Sequence, residues 1–574
     1  FGQGLERQSS FTFSSRSAAS PPAAPITTEA GWKAIGFVGN VTMPAFDAHP
    51  QSSSPKSASS KQWSSRSVHV KLSVKRRRAQ KLKRRYSSAH LLLRQRRSKR
   101  SIASLRPHDS PLCHMKPILT LCILLCVTAS CAEDKPNTTR PNVLFISVDD
   151  LNDFPTFAGH YPDALTPNMD RLAKRGVVFT RAHCQFPLCG PSRASLMSGL
   201  LPSTLGYDDH MKDEALAKRA GELGTDLLHS YFSHHGYKTL AVGKICHNHV
   251  PKGSVDASGN RGNFSGGTGK LAKNWHQNGT STDWAAAPER DDQLPDHHAA
   301  AWAVEQLQAA HDKPFLLMVG FLRPHVPWYV PQKWFDLYDK DKITLPPFKA
   351  DDLNDVPEAA KRISILKEMP RTTWAIENDQ WRNIVHAYLA CISFADHQVG
   401  KVLDALDASP HKDNTLVVLW SDHGYHMGEK NTFQKQSLWT RATRVPVVVA
   451  GPGIGGGRRC DRVVSLLDLY PTLLDLCDLP PNAKNEGRSW VPLLKDPTRA
   501  WPHPAIIGWK ENSFAVQGER YRYSRYSDGS EELYDHEADP NEWTNLSGDP
   551  AHAEVKTTLA KVLNTLPTPK ATNP

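Results

Sequence analysis

Four short runs of apolar residues punctuate the chain: Asn142–Val148, Lys238–Val242, Phe315–Phe321 and Thr415–Trp420. Each is continuous rather than alternating, and each is shorter than a helix needs. They predict strands buried on both faces. Between them apolar residues recur three and four apart, as in Pro167–Arg175, Asp226–His234 and Ala299–Ala310. That spacing predicts helices with one apolar stripe. Strands alternating with helices predict an α/β fold, a parallel sheet covered on both faces. No internal repeat is visible. From about Arg499 the pattern changes: the chain becomes rich in Tyr, Arg and Asp, with a hairpin signal at Ser527-Asp528-Gly529. A main domain over 138–498 and a small C-terminal subdomain over 499–574 with a short antiparallel sheet are expected.

Each predicted strand runs into polar residues. The first ends in Asp149-Asp150. The second passes Gly243 into Lys244 and His247. The third is followed by Arg323-Pro324-His325, and the fourth by Asp422-His423-Gly424. Ligands of open α/β sheets bind at the carboxyl ends of the strands. Four polar clusters at four such ends therefore predict one site.

Charge changes the picture at the N-terminus. The 574 residues carry a formal net charge of +12, which by itself suggests an anionic partner. Residues 1–131, however, hold about 22 Lys and Arg against about 4 Asp and Glu, leaving the remainder mildly acidic, roughly −6. The basic runs Lys75-Arg76-Arg77-Arg78 and Lys83-Arg84-Arg85 could form a nucleic-acid arm. Disorder, or sequence upstream of the real start, is the preferred reading of 1–114, and no nucleic-acid partner is expected. The chain begins at Phe1, and Met115 opens a better start. Met115-Lys116-Pro117 leads into an apolar run from Ile118 to Val127 and small residues up to Ala132. That is a secretory signal over 115–132, too short to span a bilayer. Cys131 also suggests a lipid-anchored start, which Thr128 three residues earlier fits poorly. Export to the periplasm or the extracellular space is expected (lysosomal in a eukaryote), without stable membrane insertion.

Ten cysteines are few for this length, and they show no CxxC zinc pattern. Cys113, Cys122, Cys126 and Cys131 precede the mature body. Cys184, Cys189, Cys246, Cys391, Cys460 and Cys477 lie within it. Cys460 and Cys477 flank a short segment and could pair.

The segment Cys189-Gly190-Pro191-Ser192-Arg193-Ala194-Ser195-Leu196-Met197-Ser198-Gly199 carries the chemistry. Alone it could be a loop with a free thiol. Its place after an Asp-Asp strand end makes it resemble the signature of type I, formylglycine-dependent sulfatases, C-x-P-S-R ahead of a short helix. The resemblance implies an alkaline-phosphatase-like fold: a large mixed or parallel sheet flanked by helices, and a smaller C-terminal α+β subdomain. It implies that a formylglycine-generating enzyme oxidises Cys189 to formylglycine. The hydrated aldehyde then attacks sulfur with one hydroxyl and releases sulfate with the other. It implies one Ca²⁺ per subunit held by Asp149, Asp150, Asp422, His423 and the oxygen at position 189. Arg193 would hold the diol and the metal ligands. Lys244 and His247 match the Lys and His that steady the hydrate, His325 the sulfate-binding His and candidate general acid, and Lys435 the Lys near the leaving oxygen. Lys430 is a weaker rival for that last role.

Asp422-His423, with G-K-x-x-H at Gly243–His247 and R-P-H-x-P at Arg323–Pro327, looks most like the iduronate-2-sulfatase branch. The run from Glu532-Leu533-Tyr534-Asp535 through Asp539-Pro540-Asn541-Glu542 to Leu546 is similar too. Tyr425 and Arg323 depart from that branch at positions read as subsites. The resemblance covers about residues 140–550. It implies hydrolysis of a sulfate ester, 2-O or related, on a uronate or other sugar of a sulfated polysaccharide. A formylglycine-dependent phosphonate monoester or phosphodiester hydrolase, and a catalytically silent glycan-binding homologue, are the alternatives.

Overall fold

Every residue of strand β1 (Asn142–Val148) is buried, as a continuous apolar run in a covered sheet must be. The computed structural model describes residues 140–262 and 270–566. The basic region 1–114, the signal segment 115–132 and the four cysteines before residue 140 lie outside the described residues.

The remaining strands of the main sheet are β2 (Gly176–His183), β3 (Lys238–Gly243), β4 (Ala257–Ser258), β6 (Phe315–Phe321), β8 (Thr415–Ser421), β9 (Arg444–Ala450) and β10 (Arg458–Ser465). Short β5 (Trp284–Ala286) and β7 (Trp328–Val330) pair separately. The main sheet has the order β10-β2-β9-β8-β1-β6-β3-β4. β1 lies between β6 and β8, parallel to both, with Val148 opposite Phe321 and Ser421. The three strands therefore end level, and Asp149, Leu322 and Asp422 emerge side by side.

The sheet is mixed rather than all parallel, because β9 runs antiparallel to β8 and β2. The reason lies in the connection. The chain leaves the carboxyl end of β8, stays at that edge through residues 422–443, and re-enters without a crossover helix. A strand entered that way must run backwards.

Helices α1 (Pro167–Ala173), α2 (Cys189–Ser198), α3 (Leu228–His234), α4 (Pro295–Gln308), α5 (Trp381–Asp407) and α6 (Leu469–Leu476) cover the two faces. α1 and α4 open on proline, which fits the first helical position. Alternate residues of β1 point to opposite cores. Leu144, Ile146 and Val148 pack with α1, α4 and α5. Val143 and Phe145 pack with α2, α3 and α6. The 27-residue α5 spans about 40 Å.

The C-terminal subdomain is an antiparallel meander of β11 (Ala505–Trp509), β12 (Ser513–Gln517), β13 (Tyr521–Arg525) and β14 (Glu531–Asp535). Helix α7 (Ala553–Leu563) lies on it. The expected hairpin sits between β13 and β14, where Gly529 takes φ 83°. The Cys460–Cys477 pairing is not formed: all six cysteines among the described residues are free and buried. Cys460 lies inside β10, and Cys477 caps α6 beside the Tyr237 hydroxyl.

Candidate active site

Cys189 is the first residue of α2, preceded by Leu188 in extended backbone. Its sulfur thus lies at the positive end of a helix, where charge is favoured if negative. It is buried, with Sγ 3.1 Å from Lys435 Nζ, 3.2 Å from His423 Nε2 and 3.7 Å from Asp150 Oδ1. Burial pushes the thiol far above its usual range, although Lys244 and Lys435 pull the other way. The sulfur as encoded is therefore a thiol and a poor nucleophile.

Asp149 and Asp150 follow β1 directly. Asp150 sits in left-handed backbone, φ 62°. Two contacts hold it there: Asp422 Oδ1 accepts its N–H at 3.1 Å, and the Tyr388 hydroxyl from α5 donates to its carbonyl at 2.8 Å. This turn sends the two carboxylates to different partners. Asp149 takes Arg193 Nη2 at 3.1 Å and Lys244 Nζ at 2.7 Å. Asp150 Oδ1 takes Lys435 Nζ at 2.7 Å. Asp422 Oδ2 takes Arg193 Nε at 2.8 Å. Burial alone would raise Asp149, but Lys244 and Arg193 outweigh it and hold the carboxyl well below its ordinary value. Three carboxylates thus face three cations away from water, an arrangement that stands only if every charge is paired.

Arg193 is the hub. Besides its two carboxylates it donates to the carbonyls of Lys244 (2.8 Å) and Ile245 (3.0 Å). Those carbonyls are within reach because β3 and β6 close up on glycines. A Cβ on Gly243 would meet Gly320 O at 1.9 Å, and one on Gly320 would meet Lys244 O at 1.9 Å.

Two histidines aim Nε2 at the same centre. Nδ1 of His423 donates to the Gly424 carbonyl at 2.9 Å, and Nδ1 of His325 donates to that of Val326 at 2.7 Å. These bonds fix each tautomer and leave Nε2 facing the cluster. His325 Nε2 is 3.8 Å from Asp150 Oδ2. Burial, aided by Lys435 and Lys244, brings His325 down to about 3 against the pull of Asp150 and Asp149, so its ring is neutral here.

A metal ion fits this donor set. Ligand atoms of Asp149, Asp150, Cys189 and His325, and of Asp150, Cys189, Asp422 and His423, lie within 4.8 Å of one another. Asp150 Oδ2 is buried and accepts no hydrogen bond, a position a cation would satisfy. Carboxylate oxygens suit a hard cation.

Of the remaining sequence candidates, His247 stands further out, stacked on His210 at 3.9 Å between ring centroids. Lys430 does not enter the site. Its ammonium is 2.7 Å from Asp352, bonds the Glu542 carbonyl, and lies over Trp439 and Tyr534. Arg323 and Tyr425 are not exposed subsite residues. Buried Arg323 donates to the Tyr329 and His325 carbonyls, and buried Tyr425 donates to that of Phe433. Sequence reasoning missed three residues. Tyr388 pins the Asp150 turn. Asp296 accepts the N–H groups of Leu322 and Arg323 at 2.7 and 2.8 Å, anchoring the turn that carries His325. His210 lies against Gly190, where a Cβ would meet its Nδ1 at 2.7 Å. Only spatial proximity reveals them. No helix among the described residues is long and apolar enough to cross a membrane.

Comparison with known proteins agrees with this chemistry. A family model described as Sulfatase matches residues 141–479. Another, described as N-sulphoglucosamine sulphohydrolase, C-terminal, matches residues 428–568. A sulfatase of Formosa agariphila is 44% identical over 442 residues, 75% of this chain and 87% of its own. Mouse iduronate 2-sulfatase is 30% identical over 416 residues, 63% of this chain and 72% of its own. Among solved structures, a 2-O GAG sulfatase superposes with TM-score 0.58 at 25% identity, covering 74% of this chain and 91% of that one. The phosphonate monoester hydrolase of Agrobacterium radiobacter shares the fold, with TM-score 0.58 at 23% identity, 74% and 95% covered.

Proposed function

The chain belongs to the sulfatase family and is a sulfuric ester hydrolase, and on that premise we propose that it removes sulfate from a sulfated carbohydrate, using Cys189 matured to formylglycine and one calcium ion. The observation that carries this reading is the setting of Cys189 Sγ: at the N-terminus of α2, within 3.1 Å of Lys435 and 3.2 Å of His423, beside the buried Asp150 carboxylate. Burial pushes an unmodified thiol there toward its protonated form, and maturation by a formylglycine-generating enzyme would give the site its nucleophile. Formylglycine would bring a hydrated aldehyde whose hydroxyl attacks sulfur, and calcium would draw charge from the sulfate oxygens.

The chain's own residues prepare that chemistry. Asp149, Asp150, Asp422 and His423 would hold the ion; Arg193 keeps Asp149 ionised and aims both Asp149 and Asp422. Lys244 neutralises Asp149 beside the nucleophile, with His247 at the outer wall. Lys435 Nζ stands where sulfate charge shifts toward the leaving oxygen. Neutral His325 meets the sulfate with Nε2. The anion raises its proton affinity and lets it act as the acid for the departing alkoxide. The mouse relative acts on iduronate and a structural neighbour on a 2-O sulfate. A 2-O or related sulfate on a uronate or other sugar of a polysaccharide is the substrate we assign. The signal pattern after Met115 supports export to the periplasm or extracellular space.

Mass spectrometry of the Cys189 peptide, with hydrolysis of a panel of sugar sulfates, aryl sulfates, phosphonate monoesters and phosphate diesters, tests the proposal. Formylglycine and a preference for sulfate are expected. Unmodified Cys189 in the active enzyme, or a preference for phosphonates, would refute it.

A further inference from the structure

We propose that Glu542, in the C-terminal subdomain, is the positioning residue for Lys435, so that the small sheet is part of the catalytic apparatus. The inference rests on the role given to Lys435 above.

Lys435 lies on an irregular segment between β8 and β9 and has no helix or strand of its own to fix it. The segment starts with two consecutive non-glycine residues in left-handed backbone, Lys430 at φ 54° and Asn431 at φ 55°. Side chains rarely adopt that conformation unless surrounding contacts impose it. For Lys430 the hydrogen bonds come from outside the segment. Its ammonium bonds Asp352 and the backbone carbonyl of Glu542, and it lies 5.2 Å from the Trp439 ring centroid and 5.3 Å from that of Tyr534. The other end of the segment is Thr440. The Glu542 carboxylate accepts the Thr440 N–H at 2.8 Å and its hydroxyl at 2.9 Å. One residue thus holds both ends of Lys430–Thr440, by its carbonyl and by its carboxylate.

The clamp is built to stay charged. Glu542 is buried, and burial would raise its pKa. His536 at 3.0 Å and Arg522 at 3.4 Å reverse that and hold the carboxyl well below its ordinary range. A third tie runs the same way: Trp439 Nε1 donates to Glu532 of β14 at 3.1 Å. Within the segment, Gln434 donates to the Ser364 and Gln436 carbonyls, and the Ser437 N–H bonds the Lys435 carbonyl. Pinned at both ends and braced in the middle, the segment projects Lys435 Nζ to 2.7 Å from Asp150 and 3.1 Å from Cys189. Between the clamp and the segment lies a small, partly open cavity whose walls include Asp352, His426, Lys430, Arg441 and Glu542. There a slackened loop could move.

A mutant cycle on the full-length, matured enzyme tests this. Glu542→Ala is expected to lower kcat/KM about 10- to 100-fold, and Lys435→Ala about 10²–10³-fold, as for loss of a charge-stabilising donor. Combined, they should cost no more than about twofold beyond Lys435→Ala alone, because a clamp has nothing to position once the ammonium is gone. Glu542→Gln keeps an acceptor for the Thr440 N–H but loses the charge that Arg522 and His536 face, so it should recover part of the activity. Multiplying losses, no recovery with Gln, or an unaffected Lys435→Ala enzyme would overturn the proposal. If Glu542→Ala does not accumulate folded, Thr440→Val removes one of the two bonds of the same clamp, the hydroxyl's, and enters the same cycle with a smaller single-variant loss. Turnover by Cys189→Ala would instead refute the underlying catalytic reading, so the two failures are distinguishable.

Discussion

Cys189 and Arg193 are one helical turn apart on α2, yet they play different parts, and their variants should fail differently. Cys189→Ala removes a sulfur that no core packing requires, so turnover should vanish while the unfolding midpoint stays close to that of the parent. Cys189→Ser should also be inactive in a host whose modifying system reads only cysteine. Residual turnover by purified Cys189→Ala would remove this residue from the mechanism. Arg193 has no solvent exposure and serves two equally buried carboxylates. Arg193→Met leaves Asp422 without its arginine and Asp149 with Lys244 alone, and breaking a buried pair from one side costs about 3–5 kcal/mol. The exposed Arg171–Asp404 pair offers the contrast: Arg171→Met should cost less than about 1 kcal/mol. Urea unfolding of the two variants side by side checks the difference. Equal losses would mean that the Arg193 network is not the rigid hub its geometry describes.

At the scale of elements, legibility followed burial. Asn142–Val148 and Phe315–Phe321 were readable to the residue because a strand covered on both faces must be apolar throughout. Arg444–Ala450 is equally apolar from Val445 onward, but no periodicity states the direction of a strand. Its antiparallel course follows from a loop whose path depends on distant partners. The polar strand ends were legible as one site, since parallel strands ending level must pool the residues just beyond their carboxyl ends. Tyr388 and Asp296 were not, because a buried residue on a helix looks the same whether it packs or pins a turn. Helix α3 holds a pH-sensitive group of its own. Both ring nitrogens of its His229 are buried without a hydrogen-bond partner, and burial, with a smaller push from His249, brings it down to about 4. A histidine depressed on folding favours the fold when neutral. Its contribution is therefore fully present above about 6.5 and is lost as pH falls toward 4, about 3 kcal/mol in all. Across that window His229→Leu should lose less stability than the parent. Parallel melting curves at pH 7 and pH 4.5 measure this, and identical pH dependence in the two proteins would exclude it.

At the scale of the whole molecule, the site gathers residues from Asp149 to Lys435, with a clamp reaching to Glu542. Calcium should therefore report on global stability as well as on rate. An ion that binds only the folded chain stabilises it by mass action, about 2.7 kcal/mol at a hundredfold excess over its Kd. Added calcium should raise the melting temperature of the matured enzyme, and a chelator should reverse the rise and abolish activity. Asp422→Ala would remove a proposed ligand and take from Arg193 one of its two carboxylates, so it should abolish the calcium-dependent shift, lower the calcium content and lower the rate. On the role proposed for His325, whose Nε2 stands 3.8 Å from Asp150 and would serve the ester rather than the ion, His325→Ala should keep both shift and content. Its loss falls on the leaving group. General-acid help is worth about 10²–10⁴-fold, and it matters most where the departing alkoxide is poor. Hydrolysis of a sugar sulfate should thus suffer far more than that of nitrophenyl sulfate, whose phenolate leaves unaided. Metal analysis, melting curves and kinetics on both substrates separate the two roles. A His325→Ala enzyme that lost its calcium, or lost both activities equally, would place His325 among the ligands instead of at the leaving group.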